Sequence, residues 1–304
     1  MKIVLAGGTG NIGELLIASF LSQGFKVTVL TRSVKYSDQV DYVQWDGEHI
    51  GDWVGALERT DVLINLCGET ITKRFTEKNR KILENSRLLP TSVIGVAIER
   101  MVNPPRLWIN FSGISIYSGV KKIQDESSVL YGNDFLANLT KQWERSFLSS
   151  EARSTKKVIL RISAVLSPNF GMVKELYPLA KIGLAGTIGN GRQYISWIHQ
   201  DDLARLINWI ITLENPRELY HACSPNPVKN REYMAAFRQA VGVLVGIPLP
   251  KLLAKIGAFA KGVDSSLLLQ TVPATTHYTL DDGFVFQFPY IAPAFNQLIK
   301  SNNF

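Results

Sequence analysis

Gly7, Gly10 and Gly13 follow directly on the apolar run Lys2-Ile3-Val4-Leu5-Ala6, a G-x-x-G-x-x-G spacing at the end of a strand. The chemistry that such a spacing serves is phosphate binding. Gly7 permits a tight strand-to-helix turn, Gly10 removes the Cβ that would hold a pyrophosphate off the backbone, and Gly13 lets the next helix pack close. The unpaired N–H groups and positive dipole end of that helix would face a dinucleotide, with Thr9, Asn11 and Ile12 as further contacts. Three glycines alone suit any loop that needs positive φ; the order strand, glycines, helix favours the dinucleotide.

The second cluster is Thr31-Arg32-Ser33, where the next strand ends. A carboxylate at that point would accept from a bare ribose 2′-hydroxyl, whereas a guanidinium neutralises a 2′-phosphate. No carboxylate lies between Val27 and Tyr36. The sequence therefore predicts NADP(H), with Arg32 on the 2′-phosphate and Thr31 and Ser33 as supporting donors. The plainer alternative is a solvated loop arginine.

The elements that must position these groups alternate as strand 2–6, helix 11–22 and strand 26–30, then strands at 41–45 and 62–66, a long helix over 76–101 and a strand at 107–112. Helix 134–150 and strand 156–162 follow. The pattern predicts an α/β fold, a Rossmann-like doubly wound parallel sheet with a smaller C-terminal substrate-side lobe. Residues 1–165 form the NADP(H)-binding domain, to which strands from about 193–225 return. Residues 166–304 form mainly the substrate-side lobe, including helices 201–213 and 231–241 and the apolar run 252–260. Ligands of such sheets lie across the carboxyl ends of the strands, which places Leu66, Cys67 and Gly68 along the cofactor.

The 304 residues are 46% apolar and carry a net charge of +7, enough for a large globular core. Residues 1–150 hold 17 Lys/Arg against 16 Asp/Glu and residues 151–304 hold 16 against 10. That basic second half suits an anionic small-molecule substrate or is an ordinary basic surface. No nucleic-acid motif is present, and no apolar run reaches membrane-spanning length, so neither nucleic acid nor membrane is an expected partner. With the first strand at Lys2 and only Cys67 and Cys223, without metal-ligand neighbours, the reading is a cytoplasmic protein with no metal site.

The glycine motif resembles that of the extended short-chain dehydrogenase/reductase superfamily. Asn65-Leu66-Cys67-Gly68-Glu69, Asn85-Ser86-Arg87, Phe135-Leu136-Ala137-Asn138-Leu139 with Trp143-Glu144, and Gly191-Arg192-Gln193 with Ser196-Trp197-Ile198-His199 narrow the likeness. They resemble the atypical NAD-dependent epimerase/dehydratase group, also called the epimerase or cell-division-inhibitor-like group. Ile247-Pro248-Leu249-Pro250 and residues 284–289 resemble its small C-terminal domain of unknown function, about 247–300. The resemblance implies cofactor contacts at Thr31, Arg32, Leu66, Cys67, Arg87 and Val165, and a homodimer through helices 76–101 and 134–150, although neither shows a decisive apolar outer stripe. Ala6 stands where many relatives have threonine.

In the superfamily a serine after the fifth strand works with a tyrosine and a lysine four residues apart on the next helix. Ser112 matches the serine. Counting back from Glu144 puts Thr140 at the lysine position and Leu136 at the tyrosine position, so the usual proton shuttle is missing. Tyr117-Ser118-Gly119-Val120-Lys121 has the literal spacing, but Ser118-Gly119 breaks helical pattern. Tyr117 either replaces the missing acid, flanking the reacting carbon with Ser112, or packs to shape the pocket.

Arg192, Gln193 and Trp197 are expected to shape a substrate pocket. His199 is either a base or, as the sounder reading, orders a loop at a helix start that Asp201 or Asp202 caps. The sequence thus predicts an NADP(H)-binding epimerase, dehydratase or reductase-like protein for a small polar, nucleotide-linked substrate. Its alternative is a regulatory or scaffold protein that binds NADPH without turnover.

Overall fold

The computed structural model describes residues 1–33 and 35–300. Seven parallel strands form the central sheet: β1 (Lys2–Ala6), β2 (Lys26–Thr31), β3 (Val40–Gln44), β4 (Val62–Asn65), β5 (Leu107–Gly113), β6 (Lys156–Ile162) and, late in the chain, β10 (Leu219–Ala222). Their order is β10-β6-β5-β4-β1-β2-β3, with the reversal of winding at β1. Strand interiors such as Ile3-Val4-Leu5 and Val62-Leu63-Ile64 are wholly buried, as continuous β-branched and leucine runs must be when helices cover both faces. This is the Rossmann-like architecture that the alternation predicts.

On one face α1 (Asn11–Ser22) and α5 (Gln200–Thr212) insert Leu16, Phe20, Leu206 and Ile210 against β1 and β2. On the other, α2 (Glu77–Glu99) and α3 (Phe135–Leu148) meet Trp108, which stacks edge-on to Phe147 at 4.6 Å. Thr76 and Asp134 cap these two helices, each accepting from the backbone N–H three residues on, so both begin one residue inside the predicted spans.

The remaining elements are β7 (Ala164–Leu166), α4 (Gly171–Lys181), β8 (Tyr194–Ile195), β9 (Trp197–His199), β11 (Val228–Lys229), α6 (Asn230–Val241), α7 (Lys251–Ala260), the short α8 (Ser266–Leu269) and α9 (Tyr278–Asp281), and α10 (Ile291–Lys300). They enclose a second apolar core in which Phe237 and Tyr233 pack edge-on to Phe295.

Three carboxylates tie residues 276–288 to the sheet and to α5. Glu126 accepts from the backbone N–H of His221 and His277 and from the Thr276 hydroxyl. Asp202 accepts from the N–H of Gln287 and Phe288, and Asp282 binds Arg217 and Tyr220. A buried carboxylate is tolerated on such terms, because charge-assisted hydrogen bonds replace its hydration. No helix among the described residues is long and apolar enough to cross a membrane.

Candidate cofactor and substrate site

The turn between β1 and α1 has the shape that the glycine spacing requires. Gly7 lies at φ +76°, and a Cβ there would come within 2.9 Å of Cys67 Sγ. A Cβ on Gly13 would sit 2.1 Å from the Gly8 carbonyl oxygen, so α1 docks against the turn only because position 13 has no side chain. Gly10 is the opposite case: it is exposed, and a Cβ there would meet nothing within 4 Å. That open space borders the N-terminus of a 12-residue helix with no side-chain cap. The groups present therefore fit a diphosphate, which would fill the space and use the free N–H groups.

Arg32 leaves β2 exposed and borders a cleft of about 530 Å³ outside the ends of β2 and β3, with Trp45, Asp46, His49, Ile50 and Trp53 among its walls. Asp46 is no competitor for a ribose hydroxyl. Its oxygens accept from the N–H of Glu48 and His49 and pair with the His49 ring at 2.7 Å, which holds its carboxyl well below the ordinary value. Thr31, expected as a donor, is buried, and its Oγ1 accepts from Ser33 N–H at 3.2 Å. It shapes the turn that carries Arg32.

At the end of β4, Asn65 organises the expected path of the cofactor. Its amide donates to Asn110 Oδ1 at 2.7 Å and Thr91 Oγ1 at 3.0 Å, while its Oδ1 accepts from Cys67 N–H. Leu66 and Cys67 are half-buried and Gly68 exposed; desolvation pushes the Cys67 thiol up to about 12, so it is neutral. Arg87 donates to the carbonyls of Leu83 and Glu69 and lies 5.3 Å from the Trp143 ring. Burial lowers its pKa to about 10, and its guanidinium braces the loop that starts at Gly68. Val165 lies half-buried in β7, paired with Ile198 of β9.

The two expected catalytic hydroxyls are committed elsewhere. Ser112 is 1% exposed and donates to Glu144 Oε1 at 2.6 Å. Arg161, the register partner of Ser112 across β5 and β6, holds the same carboxylate through Nε and Nη2 at 2.7 Å each. Its Nη1 donates to Tyr117 Oη at 2.6 Å. Tyr117 is wholly buried, and its one proton faces Asp125 O at 3.0 Å and His221 Nε2 at 3.2 Å. Burial raises the phenol pKa, the reverse of what a proton donor at neutral pH needs. Ser112 and Tyr117 are thus members of a buried network around Arg161, a residue the sequence reading did not single out.

Leu136 and Thr140 hold the corner where relatives of the usual type have tyrosine and lysine. Leu136 packs with Leu83, Leu139, Ile71, Phe75 and Leu267. Thr140 donates to Leu136 O at 2.8 Å, and its hydroxyl also meets Ser115 Oγ at 2.9 Å.

Three of the four expected substrate residues, Gln193, Trp197 and His199, bind the chain itself. Gln193 Nε2 donates to the carbonyls of Ile188 and Leu268, and Trp197 Nε1 donates to Asn226 O. Arg192 is exposed. His199 caps α5, with Nδ1 accepting from Asp201 N–H at 3.1 Å and Nε2 facing Gln297 Oε1 at 2.9 Å. The capping expected of Asp201 or Asp202 falls to this imidazole, because Asp202 is drawn off to Gln287 and Phe288. A separate cleft of about 420 Å³ opens between the start of α2 and α7, with Arg74, Phe75, Thr76, Lys255, Phe259 and Val263 in its walls.

Residues 3–222 match the family described as NAD dependent epimerase/dehydratase. The chain belongs to that family. Among its relatives, epimerase family protein YfhF of Bacillus subtilis is 29% identical over 98% of both chains. Mb2239 of Mycobacterium bovis, also an epimerase family protein, is 30% identical over 88% of this chain and 87% of its own. The crystal structure of human epimerase family protein SDR39U1 (isoform 2) with NADPH has a TM-score of 0.89 to this chain at 27% identity, covering 99% of this chain and 100% of that one. The fold, the family and the sheet topology thus agree with the sequence reading.

His199 and His221 are both buried, and desolvation holds each imidazole below the ordinary 6.5. An unfolded chain takes up protons at these sites as pH falls through 6.5, whereas the folded chain does so only at lower pH. Stability is therefore lost as pH drops below 6.5. Asp125, Asp264 and Asp282, held below 3.8, act in the same direction in stronger acid. Exposed His49, shifted upward by Asp46, is too well screened to reverse the sign. Thermal melts should give a lower Tm at about pH 5.5 than at about pH 7.5; an equal or higher Tm in acid would show that the imidazoles are not held neutral.

Proposed function

We propose that this chain binds NADP(H) across β1, β2 and β4 and acts as a cytoplasmic epimerase, dehydratase or reductase on a small polar substrate of the nucleotide-linked kind. The observation that carries the reading is the cradle at Gly10, open to 4 Å and more where a side chain would stand, with Arg32 at the end of the neighbouring strand. The solved relative that contains NADPH supports the same choice of cofactor. Backbone N–H groups of residues 10–13 would hold the diphosphate, and Arg32 the 2′-phosphate beside the cleft at Trp45. Leu66, Cys67 and Val165 would line the path toward the nicotinamide. A bound nicotinamide supplies or accepts a hydride.

The chain's own part is to orient and to exclude water. Asn65 holds the β4 loop, Arg87 braces it, and the Ser112–Glu144–Arg161–Tyr117 network ties β5 and β6 to α3. In this reading Ser112 and Tyr117 are positioning residues. The dimer that the resemblance implies would use Ile82 and Leu89, which lie on one face of α2 and are 39% and 36% exposed.

A second reading, an NADPH-binding regulatory protein without turnover, is favoured by Leu136 in its apolar cluster and by Thr140, whose hydroxyl is taken by Leu136 O and Ser115. Product analysis after mixing the protein, loaded in turn with NADPH and with NADP+, with a panel of carbonyl compounds and sugar nucleotides separates the two. A reductase oxidises NADPH, whereas an epimerase or dehydratase starts from NADP+ and regenerates it, converting a panel member with no net change in cofactor. Tight binding with neither cofactor oxidation nor product across the panel is the result expected of the regulatory protein.

A further inference from the structure

Helix α7 is packed inside out. The side chains it buries are Ala254 and Ala258, one turn apart and 1% and 4% exposed, while Leu252, Ile256 and Phe259 are 68%, 56% and 65% exposed. These three recur at i, i+4 and i+7, so they share the face opposite the two alanines. Leu253 widens the ridge on one side, and exposed Lys251 and Lys255 line the other. The strand of chain that leads into α7 adds Leu244, Val245 and Ile247, which are 91%, 75% and 60% exposed. It lies against residues 183–187 through backbone hydrogen bonds, Ile247 N–H to Gly183 O and Leu249 N–H to Thr187 O, and there Ile182 and Leu184 are also exposed.

An apolar surface of this extent on adjoining segments marks an interaction site, and its charge selects the partner. From Tyr233 to Val263 the sequence has no Asp or Glu, but it has Arg238, Lys251, Lys255 and Lys261. Only Lys261 of the three lysines has an ion-pair partner, Glu175, among the described residues. A second copy packed with its α7 antiparallel about a two-fold axis would set the flank of Lys251 and Lys255 against its own counterpart, a repulsive arrangement. Phe259 stacks on the Arg74 guanidinium at 3.6 Å in the wall of the cleft beside α2, which leaves Leu252, Leu253 and Ile256 as the free part of the ridge; flanked by lysines, it suits a plane with acyl chains below and negative charge at the surface.

We propose that α7 and the segment before it dock this protein on the surface of an anionic phospholipid bilayer. The expectation of no membrane partner rested on spanning length alone, which a helix lying in the interface does not need. The contact depends on neither the glycine cradle nor Arg32.

The test is co-sedimentation of the full chain with phosphatidylcholine vesicles, with and without about one third phosphatidylglycerol. Binding to the anionic vesicles at least about tenfold tighter than to the neutral ones, weakened by salt, is expected. The pair Leu252→Asp and Ile256→Asp, and separately the pair Lys251→Glu and Lys255→Glu, should each reduce that binding about tenfold or more. Unchanged melting temperature and NADPH titration in both variants show that the fold is intact. No sedimentation with anionic vesicles, equal binding by the variants, or a dimer in sedimentation velocity that the Leu252→Asp and Ile256→Asp pair dissolves without any vesicle binding would each overturn the proposal.

Discussion

Glu144→Ala destabilises the chain by about 3–5 kcal/mol, read from urea or thermal unfolding, because it leaves a buried guanidinium without its counter-charge. The side chains of Arg161 and Glu144 are 4% and 9% exposed, and the carboxylate receives two hydrogen bonds from Arg161 and one from Ser112. Removing the carboxylate strands a cation whose pKa is raised above its ordinary value only because that partner outweighs desolvation. The loss spreads to Tyr117, which depends on the same guanidinium. Replacing both partners together, Glu144→Leu with Arg161→Met, removes the stranded charge and should recover most of the stability. A Glu144→Ala protein within about 1 kcal/mol of the parent would show that the network does not carry this region.

Gly13→Ala should lower NADPH affinity by about 100-fold or more, the loss expected when backbone donors of a phosphate cradle are displaced. A methyl at position 13 would lie 2.1 Å from the Gly8 oxygen and 2.4 Å from its carbonyl carbon. Both are backbone atoms of the turn itself, so α1 must move away rather than a side chain swing aside. Gly10→Ala separates fold from binding. Its methyl meets no protein atom within 4 Å, so melting is unchanged while affinity falls through contact with the ligand. Calorimetric titration of both variants checks the pair; NADPH binding by Gly13→Ala at the parent's strength would remove the cradle from the account.

The parts legible in sequence are those whose physics is local. Strand–glycine–helix order located the turn, and the predicted spans 76–101 and 134–150 start on Thr76 and Asp134, the residues the structure shows as caps, because a cap needs only its own next three residues. Ser112 was legible as a strand-end hydroxyl, yet its partner was not. Arg161 lies opposite it only through the register of β5 with β6, and no spacing within either strand encodes that pairing. Glu126 and the true partners of Asp202, which was read as a helix cap, escaped for a related reason: each carboxylate accepts from backbone N–H groups far along the chain, which carry no residue-type signal. Gln193 and Trp197 have the composition of a pocket, but buried polar groups in a packed lobe must find partners too, and theirs are carbonyls of the lobe itself. For α7 only the apolar run 252–260 was visible, not the helix or its direction, since the two alanines face in and the larger side chains out.

In the function proposed above, the β1–α1 turn holds a diphosphate while Arg32 selects the phosphorylated adenosine. Parallel calorimetric titrations with NADPH and NADH, on the parent and on Arg32→Ala, test it most directly. NADPH should bind at least about tenfold more tightly than NADH to the parent, and Arg32→Ala should lose most of that preference with NADH affinity little changed. NADH binding as tightly as NADPH, a preference that survives Arg32→Ala, or binding of neither nucleotide would contradict it.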